Sequence, residues 1–113
     1  MQTYIYHIAT QADWEKAIDT GQYTVASIEL EGFIHASFKE QLKATAERYY
    51  RGQEQLQLLK IDTDKLSAPL KVEFAPSVKQ DFPHIYGALN LNAIIEKAEF
   101  SVPEEGDFDM PEL

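Results

Sequence analysis

The second half of the chain contains apolar segments that lie too close together to be joined by helices. Residues 56–61, 70–74 and 94–102 each have the composition of a strand, and residues 70–74 alternate apolar with charged side chains. Parallel strands need a long crossover connection, usually a helix, whereas antiparallel strands accept short turns. The spacing therefore favours antiparallel pairing in this half, with one strand face open to water.

The first half shows a strand followed by a helix. Residues 3–8 are rich in Tyr and Ile, which favours a strand. Thr10 and Asp13 have the spacing of a near capping box, and Gly21 is a typical helix terminator. We expect an irregular connection over residues 22–31.

The same order is repeated further along. A second strand is predicted over residues 33–36, and Ser37 and Glu40 form a full capping box for the next helix, which Gly52 ends. Residues 75–83 are predicted as a loop. The order β-α-β-α-β-β-β indicates an α+β domain with a small mixed or antiparallel twisted sheet and two short helices. Residues 1–102 are expected to form this single domain, and residues 103–113 a solvated acidic tail.

Composition excludes several classes of protein. The chain has 113 residues, a net charge of −9 and no cysteine. A disulfide framework and a thiolate zinc site are therefore excluded. An acidic surface repels phosphate backbones, which argues against broad nucleic-acid binding. The N-terminus lacks the features of a signal peptide and no segment is apolar enough to span a bilayer, so we expect a cytoplasmic protein with no membrane contact.

One pattern that carries chemistry occurs twice. His7 and His35 each stand at the end of a predicted strand, just before a helix cap. Helix N-termini attract anions, and histidine can donate a hydrogen bond or exchange a proton near neutral pH. Two such corners would form a pocket for a phosphate or a carboxylate, with Ser37 beside it. The alternative is that each imidazole satisfies a backbone group and is structural.

The third histidine, His84, lies in a segment held between Pro83 and Gly87, with Tyr86 beside it. Such a segment is typical either of a binding loop or of a tight turn packed on the core. Arg48 is predicted near the end of the second helix. There it either stays on the solvent-exposed face or turns inward to bind a phosphate. The histidine spacings do not predict a metal site, and no GxSxG motif is present.

Together these residues resemble a known bacterial family, the domain-of-unknown-function 952 family, over about residues 4–102. Two segments carry most of the resemblance, Gly-Phe-Ile-His at residues 32–35 and Phe-Pro-His-Ile-Tyr-Gly at residues 82–87. Ala36 and Ala88 depart from the family pattern, which usually has Cys and Pro at these positions. The resemblance implies an ADP-ribosyltransferase-like fold, whose group includes NAD-dependent ADP-ribosylating enzymes and RNA phosphotransferases. In that group an early-strand histidine holds the ribose, and His7 is in a comparable place.

The leading hypothesis is a small enzyme or binder of an NAD-like or other phosphate-bearing nucleotide. His7 would bind a ribose hydroxyl, and His35 and His84 would be the catalytic pair. Tyr86 would stack on a ring, and Arg48, with Ser37 nearby, would bind phosphate. The alternative is a non-catalytic protein-interaction module with structural histidines, whose contact candidates are Tyr23, Tyr49 and Tyr50.

Overall fold

The described part of the chain, residues 3–113 of a computed structural model, forms three antiparallel sheets and three short helices. The first two residues of the predicted domain lie outside this range. The strands are β1 Tyr4–Ala9, β2 Gln22–Tyr23, β3 Ile34–His35, β4 Leu56–Asp62, β5 Leu70–Ala75, β6 Gln80–Ile85, β7 Leu89–Asn90 and β8 Ile94–Phe100. The helices are α1 Gln11–Thr20, α2 Ala26–Glu31 and α3 Leu42–Tyr49. Within the described range, no helix has the length and apolar content that crossing a lipid bilayer requires.

The first sheet carries the core on both of its faces. Its central strand β4 lies between β1 and β8, and it is buried along almost its whole length. Because side chains alternate across a strand, Leu59 and Ile61 join one apolar cluster while Leu56 and Leu58 join the other. Burial on both faces explains why this segment is a continuous apolar run.

The third sheet has one core face and one polar face. Its central strand β6 pairs with β3 and β5 in a register that places Ile34 opposite Ile85 and His35 opposite His84. Both isoleucines are fully buried in the first apolar cluster. The alternation of strand side chains then directs the two histidines to the opposite face.

Three segments differ from the sequence-based expectation. The predicted irregular connection contains β2 and α2, and the predicted loop at 75–83 contains the first part of β6. The segment of His84, expected to be a binding loop or a tight turn, begins with the end of the same strand. Pro83 lies inside β6 although it has no N–H to donate. Its carbonyl oxygen accepts a hydrogen bond from Ala36 N–H at 3.1 Å, so the strand keeps its pairing through the acceptor side.

The two predicted helix caps have different outcomes. Thr10 caps α1 as predicted, since its hydroxyl accepts the Asp13 N–H at 3.2 Å. The capping role of Ser37 is wrong. The backbone of Ser37 pairs instead with Tyr6 of β1 through two hydrogen bonds of 2.7 and 2.8 Å. The helical turn that follows begins at Phe38, one residue after the predicted cap. There the Gln41 side chain accepts the Phe38 N–H at 2.9 Å.

The C-terminal segment, residues 103–113, packs against the domain and differs in this from the expected solvated tail. Phe108, Met110 and Leu113 contact the second apolar cluster. The Tyr6 hydroxyl donates to the backbone oxygen of Leu113 at 3.0 Å, and Arg51 donates to two carbonyl oxygens of the segment at 3.2 and 2.7 Å. Apolar side chains spaced between the acidic ones therefore hold the segment in place.

Candidate functional site

A cavity of about 650 Å³ lies between α3, β3 and the β5–β6 hairpin. Small-molecule sites typically have volumes of roughly 300–1,000 Å³. Every predicted site residue except Tyr86 lines it, namely His7, Ser37, His35, Arg48 and His84. The structure thus brings together residues that are far apart in the sequence.

His35 and His84 face each other across two paired strands. They are direct partners in the β3–β6 register, so their side chains lie on the same face of the sheet. Their ring centroids are 5.3 Å apart in an edge-to-face arrangement. Phe33 stacks on the His84 ring with the centroids 4.0 Å apart and also contacts His35 at 4.8 Å. The two imidazoles therefore form one aromatic cluster at the cavity.

Each of these two imidazoles is hydrogen-bonded to its own carboxylate. His35 Nε2 lies 2.5 Å from Glu31 Oε2, and His84 Nδ1 lies 2.8 Å from Glu73 Oε1. A carboxylate accepts, so the bonded nitrogen of each ring carries the proton. The other nitrogen, Nδ1 of His35 and Nε2 of His84, has no hydrogen-bond partner within residues 3–113 and is available to a ligand.

Tyr86 acts on the site through Glu73 and does not line the cavity. Its hydroxyl donates to the same Glu73 oxygen that His84 binds, and the Lys71 ammonium lies 4.8 Å from the centre of its ring. Two hydrogen bonds lower the pKa of Glu73, and the one from Tyr86 has a larger effect than the one from His84. The bond between Tyr86 and Glu73 also raises the pKa of Tyr86. The predicted stacking of Tyr86 on a bound ring therefore does not fit its position.

His7 is a structural link that joins its own sheet to the other two. Its side chain is buried, with Nδ1 2.5 Å from the His35 carbonyl oxygen and Nε2 2.7 Å from the Tyr23 hydroxyl. A carbonyl only accepts, so Nδ1 donates and Nε2 accepts from Tyr23. Both nitrogens are occupied, and the predicted hydrogen bond to a ribose does not fit. Burial lowers the pKa of His7 to about 4, which keeps the ring neutral, and burial also raises the pKa of Tyr23.

Arg48 and Ser37 also belong to the polar lining. Arg48 is exposed on α3, with its guanidinium carbon 5.8 Å from the centre of the Tyr49 ring. Among residues 3–113 no carboxylate lies within ion-pair distance of it, so its charge is available. The Ser37 side chain is nearly buried and its hydroxyl has no hydrogen-bond partner in the same range. Both residues can contact an anionic ligand.

Aromatic side chains form the remaining walls. Tyr49 and Phe74 line the cavity from α3 and β5 and are 62% and 61% exposed. The tyrosines proposed as contacts of an interaction module do not share one surface. Tyr23 is fully buried and Tyr50 is half-buried, which leaves Tyr49 as the exposed member.

Sequence reasoning missed the two carboxylates. Glu31 precedes His35 by four positions, a spacing that was visible but lay in a segment predicted as irregular. Glu73 is diagonal to His84 across the β5–β6 pair, because His84 pairs with Lys71 and Glu73 is two residues further along. That neighbour follows only from the strand register.

Despite these acidic groups, no set of three His, Asp or Glu side chains within residues 3–113 has the arrangement of a metal site.

Comparison with known protein families decides the relationship. Residues 8–97 match the family model described as Protein of unknown function (DUF952). The chain belongs to this family. The resemblance seen in the sequence is thereby confirmed for the DUF952 family, and no curated protein matches the chain.

The chain is also similar to solved structures of CC0527 from Caulobacter crescentus. Its crystal structure is 35% identical with a TM-score of 0.78, and the match covers 86% of this chain and 85% of that one. The solution NMR structure of CC0527 is 33% identical with a TM-score of 0.74, covering 87% and 84%. These neighbours support the small α+β architecture, while the ADP-ribosyltransferase-like assignment stays a prediction.

Proposed function

We propose that this DUF952 protein binds a small phosphate-bearing nucleotide, NAD-like or otherwise, in the cavity at His35 and His84. The observation that carries the proposal is the position of Arg48. This arginine lines the cavity beside two imidazoles that each keep one free nitrogen, and no carboxylate neutralises it within residues 3–113. Arginine holds phosphate through paired hydrogen bonds, which gives such a pocket both attraction and orientation.

The overall charge restricts the ligand to a small one. A net charge of −9 opposes the approach of a long polyanion. Within residues 3–113, Arg48 is the one arginine or lysine in the cavity lining. A local donor set of this kind suits one or two phosphate groups.

The aromatic walls favour a ligand that also has a planar ring. Tyr49 and Phe74 are exposed aromatic residues on two different elements of the lining. Stacking of a base on an aromatic side chain contributes about 1–3 kcal/mol and tolerates any base. The proposed ligand is therefore a nucleotide in preference to inorganic phosphate. The ADP-ribosyltransferase-like resemblance adds NAD and ADP-ribose to the compounds to be tested.

Calorimetric titration with AMP, ADP-ribose, NAD and the phosphate-free adenosine tests this proposal. We expect the phosphate-bearing ligands to bind more tightly than adenosine. The Arg48→Ala variant should weaken their binding by about 10- to 150-fold, since hydrogen bonds to charged groups contribute about 1.5–3 kcal/mol. Lys16→Ala removes the same charge from an exposed position of α1 and should leave the affinity unchanged.

Two outcomes would overturn the proposal. One is the absence of heat and of thermal stabilisation with every phosphate-bearing ligand. The other is an equal loss of affinity in Lys16→Ala and Arg48→Ala, which would mean that the attraction comes from net charge alone. Either result would favour the non-catalytic interaction module.

A further inference from the structure

We propose that His35 and His84 form a general acid–base pair that cleaves a ribonucleotide phosphodiester by attack of its own 2′-hydroxyl. The inference rests on the proposed function, because it names the substrate class of the same cavity. It assigns His84 as the base, His35 as the acid, and Glu73 and Glu31 as positioning residues.

The hydrogen bonds at the two rings set the direction of proton transfer. Glu73 fixes the proton of His84 on Nδ1, so that Nε2 presents a lone pair. Glu31 holds His35 at Nε2, so that a protonated His35 presents a second N–H from Nδ1. A histidine oriented by a carboxylate in this way is the usual arrangement for proton transfer in hydrolytic sites.

The surroundings of the two rings differ in a way that separates their roles. The His84 side chain is 12% exposed and lies under Phe33, and its carboxylate partner also accepts the Tyr86 hydrogen bond. Two donors on one Glu73 oxygen hold that carboxylate, and with it the His84 ring, in a fixed orientation, which suits the group that must align with the 2′-hydroxyl. His35 is 57% exposed and does not share the bonded oxygen of Glu31 within residues 3–113, which places it on the open side, where a leaving group can depart to solvent.

The nucleophile is assigned to the substrate because the cavity offers no activated one of its own. The sequence has no cysteine, and within the described residues the Ser37 hydroxyl is not hydrogen-bonded to either histidine. A 2′-hydroxyl adjacent to a phosphodiester is held next to the phosphorus atom and reacts at high effective concentration. A phosphodiester carries one negative charge, which matches the single guanidinium of Arg48 in the cavity.

The reaction balances without a co-reactant. His84 Nε2 accepts the proton of the 2′-hydroxyl, and the 2′-oxygen forms a bond to phosphorus. The bond from phosphorus to the 5′-oxygen breaks, and His35 Nδ1 donates a proton to that leaving oxygen. The products are a 2′,3′-cyclic phosphate and an alcohol, after which the two imidazoles exchange protons with water.

Two kinds of substrate, supplied to the full chain as uridine and adenosine forms, test the pair. A nucleoside 3′-(4-nitrophenyl phosphate) has a leaving group that departs without an acid, whereas a dinucleoside phosphate needs one. We expect His84→Ala to lose about 10²- to 10⁴-fold in rate with both substrates. We expect His35→Ala to lose a comparable factor only with the dinucleoside phosphate. Lys16→Ala, prepared in the same way, should retain the activity of the parent protein.

The 2′-deoxy forms of both substrates are the decisive controls. Two results would overturn the inference. One is cleavage of the 2′-deoxy substrates at the rate of the ribonucleotide substrates. The other is a parent protein that cleaves the ribonucleotide substrates no faster than a His35→Ala/His84→Ala double variant. AMP binding measured on the same preparation separates the two proposals. If AMP binds and cleavage is absent, the acid–base assignment fails and the binding function stands, whereas the absence of both would end both proposals.

The positioning role of Glu73 has a readout that a structural role would not move. In ¹⁵N spectra of the imidazoles, the parent protein should show His84 as the Nδ1–H tautomer. Glu73→Ala should populate the other tautomer and lower kcat more than it raises KM, and Glu73→Asp should restore part of both. An unchanged tautomer in a folded Glu73→Ala variant would overturn the assignment.

Discussion

At the scale of single residues, the partner of each imidazole determines what that histidine can do. His7 has both nitrogens bonded to protein groups, whereas His35 and His84, which line the cavity, each have one nitrogen with no hydrogen-bond partner among residues 3–113. The sequence pattern before His7 and before His35 is nearly the same. Their difference in role comes from what packs around them, with His7 buried and His35 exposed.

His7 should make stability depend on pH in a defined window. Burial lowers its pKa from 6.5 to about 4 in the folded chain. Because the unfolded chain binds the proton more readily, stability is highest above the unfolded pKa and falls as pH drops from 6.5 toward 4. The expected loss is about 3 kcal/mol at most. Chemical denaturation of the parent protein and of His7→Gln, from pH 7.5 to pH 4, measures it.

The difference between the two pH profiles is the relevant quantity, since His7→Gln is expected to be less stable at every pH. Tyr23→Phe provides a control, because it removes the hydroxyl partner but keeps a buried imidazole at position 7. That variant should retain the dependence on pH. If the parent and His7→Gln have parallel profiles, the neutral buried His7 is not present in the folded chain.

At the scale of elements, short turns position the groups of the site. Helix α2 ends at Glu31, and Gly32 follows with φ +93° before the chain enters β3. This turn lets Glu31 reach back to His35 within four residues. A residue with a Cβ is strained in this conformation by about 1–2 kcal/mol.

Replacing Gly32 should therefore affect both stability and the site. A Cβ at this position meets no atom within 4 Å, so the cost of Gly32→Ala is backbone strain alone. Gly21 ends α1 with φ +87° and is equally open, which makes Gly21→Ala a matched control away from the cavity. Both variants should lose about 1–2 kcal/mol in denaturation, and only Gly32→Ala should weaken AMP binding. Equal effects on AMP binding would show that the Gly32 turn does not position the site.

Local sequence signals predicted the elements that depend on local contacts. The Thr10 cap and the strand at residues 56–61 were predicted because a cap and a buried apolar run are visible in a short window. Ser37 was misassigned because its backbone pairs with distant Tyr6. Strand β6 was missed because Pro83 argues against a strand, and its pairing with β5 along residues 80–85 overrides that preference.

At the scale of the whole molecule, the fold brings together groups from distant parts of the sequence. The polar face of the third sheet supplies His35, His84 and Glu73, and α3 supplies Arg48. The sequence was sufficient to choose most of these residues because imidazole and guanidinium groups are rare in this chain. Glu73 could not be chosen, because it becomes a neighbour of His84 only through the pairing register of β5 and β6.

The central claim is that His35 and His84, and not His7, offer a ring nitrogen to a phosphate-bearing nucleotide in the cavity. A titration with AMP, followed by the side-chain ¹⁵N signals of all three histidines, tests it most directly. The account predicts that the ring nitrogens of His35 and His84 shift in a saturable way while those of His7 stay in place, and that adenosine has a much weaker effect. Shifts confined to His7, or no shift at any imidazole while AMP binds, would contradict it.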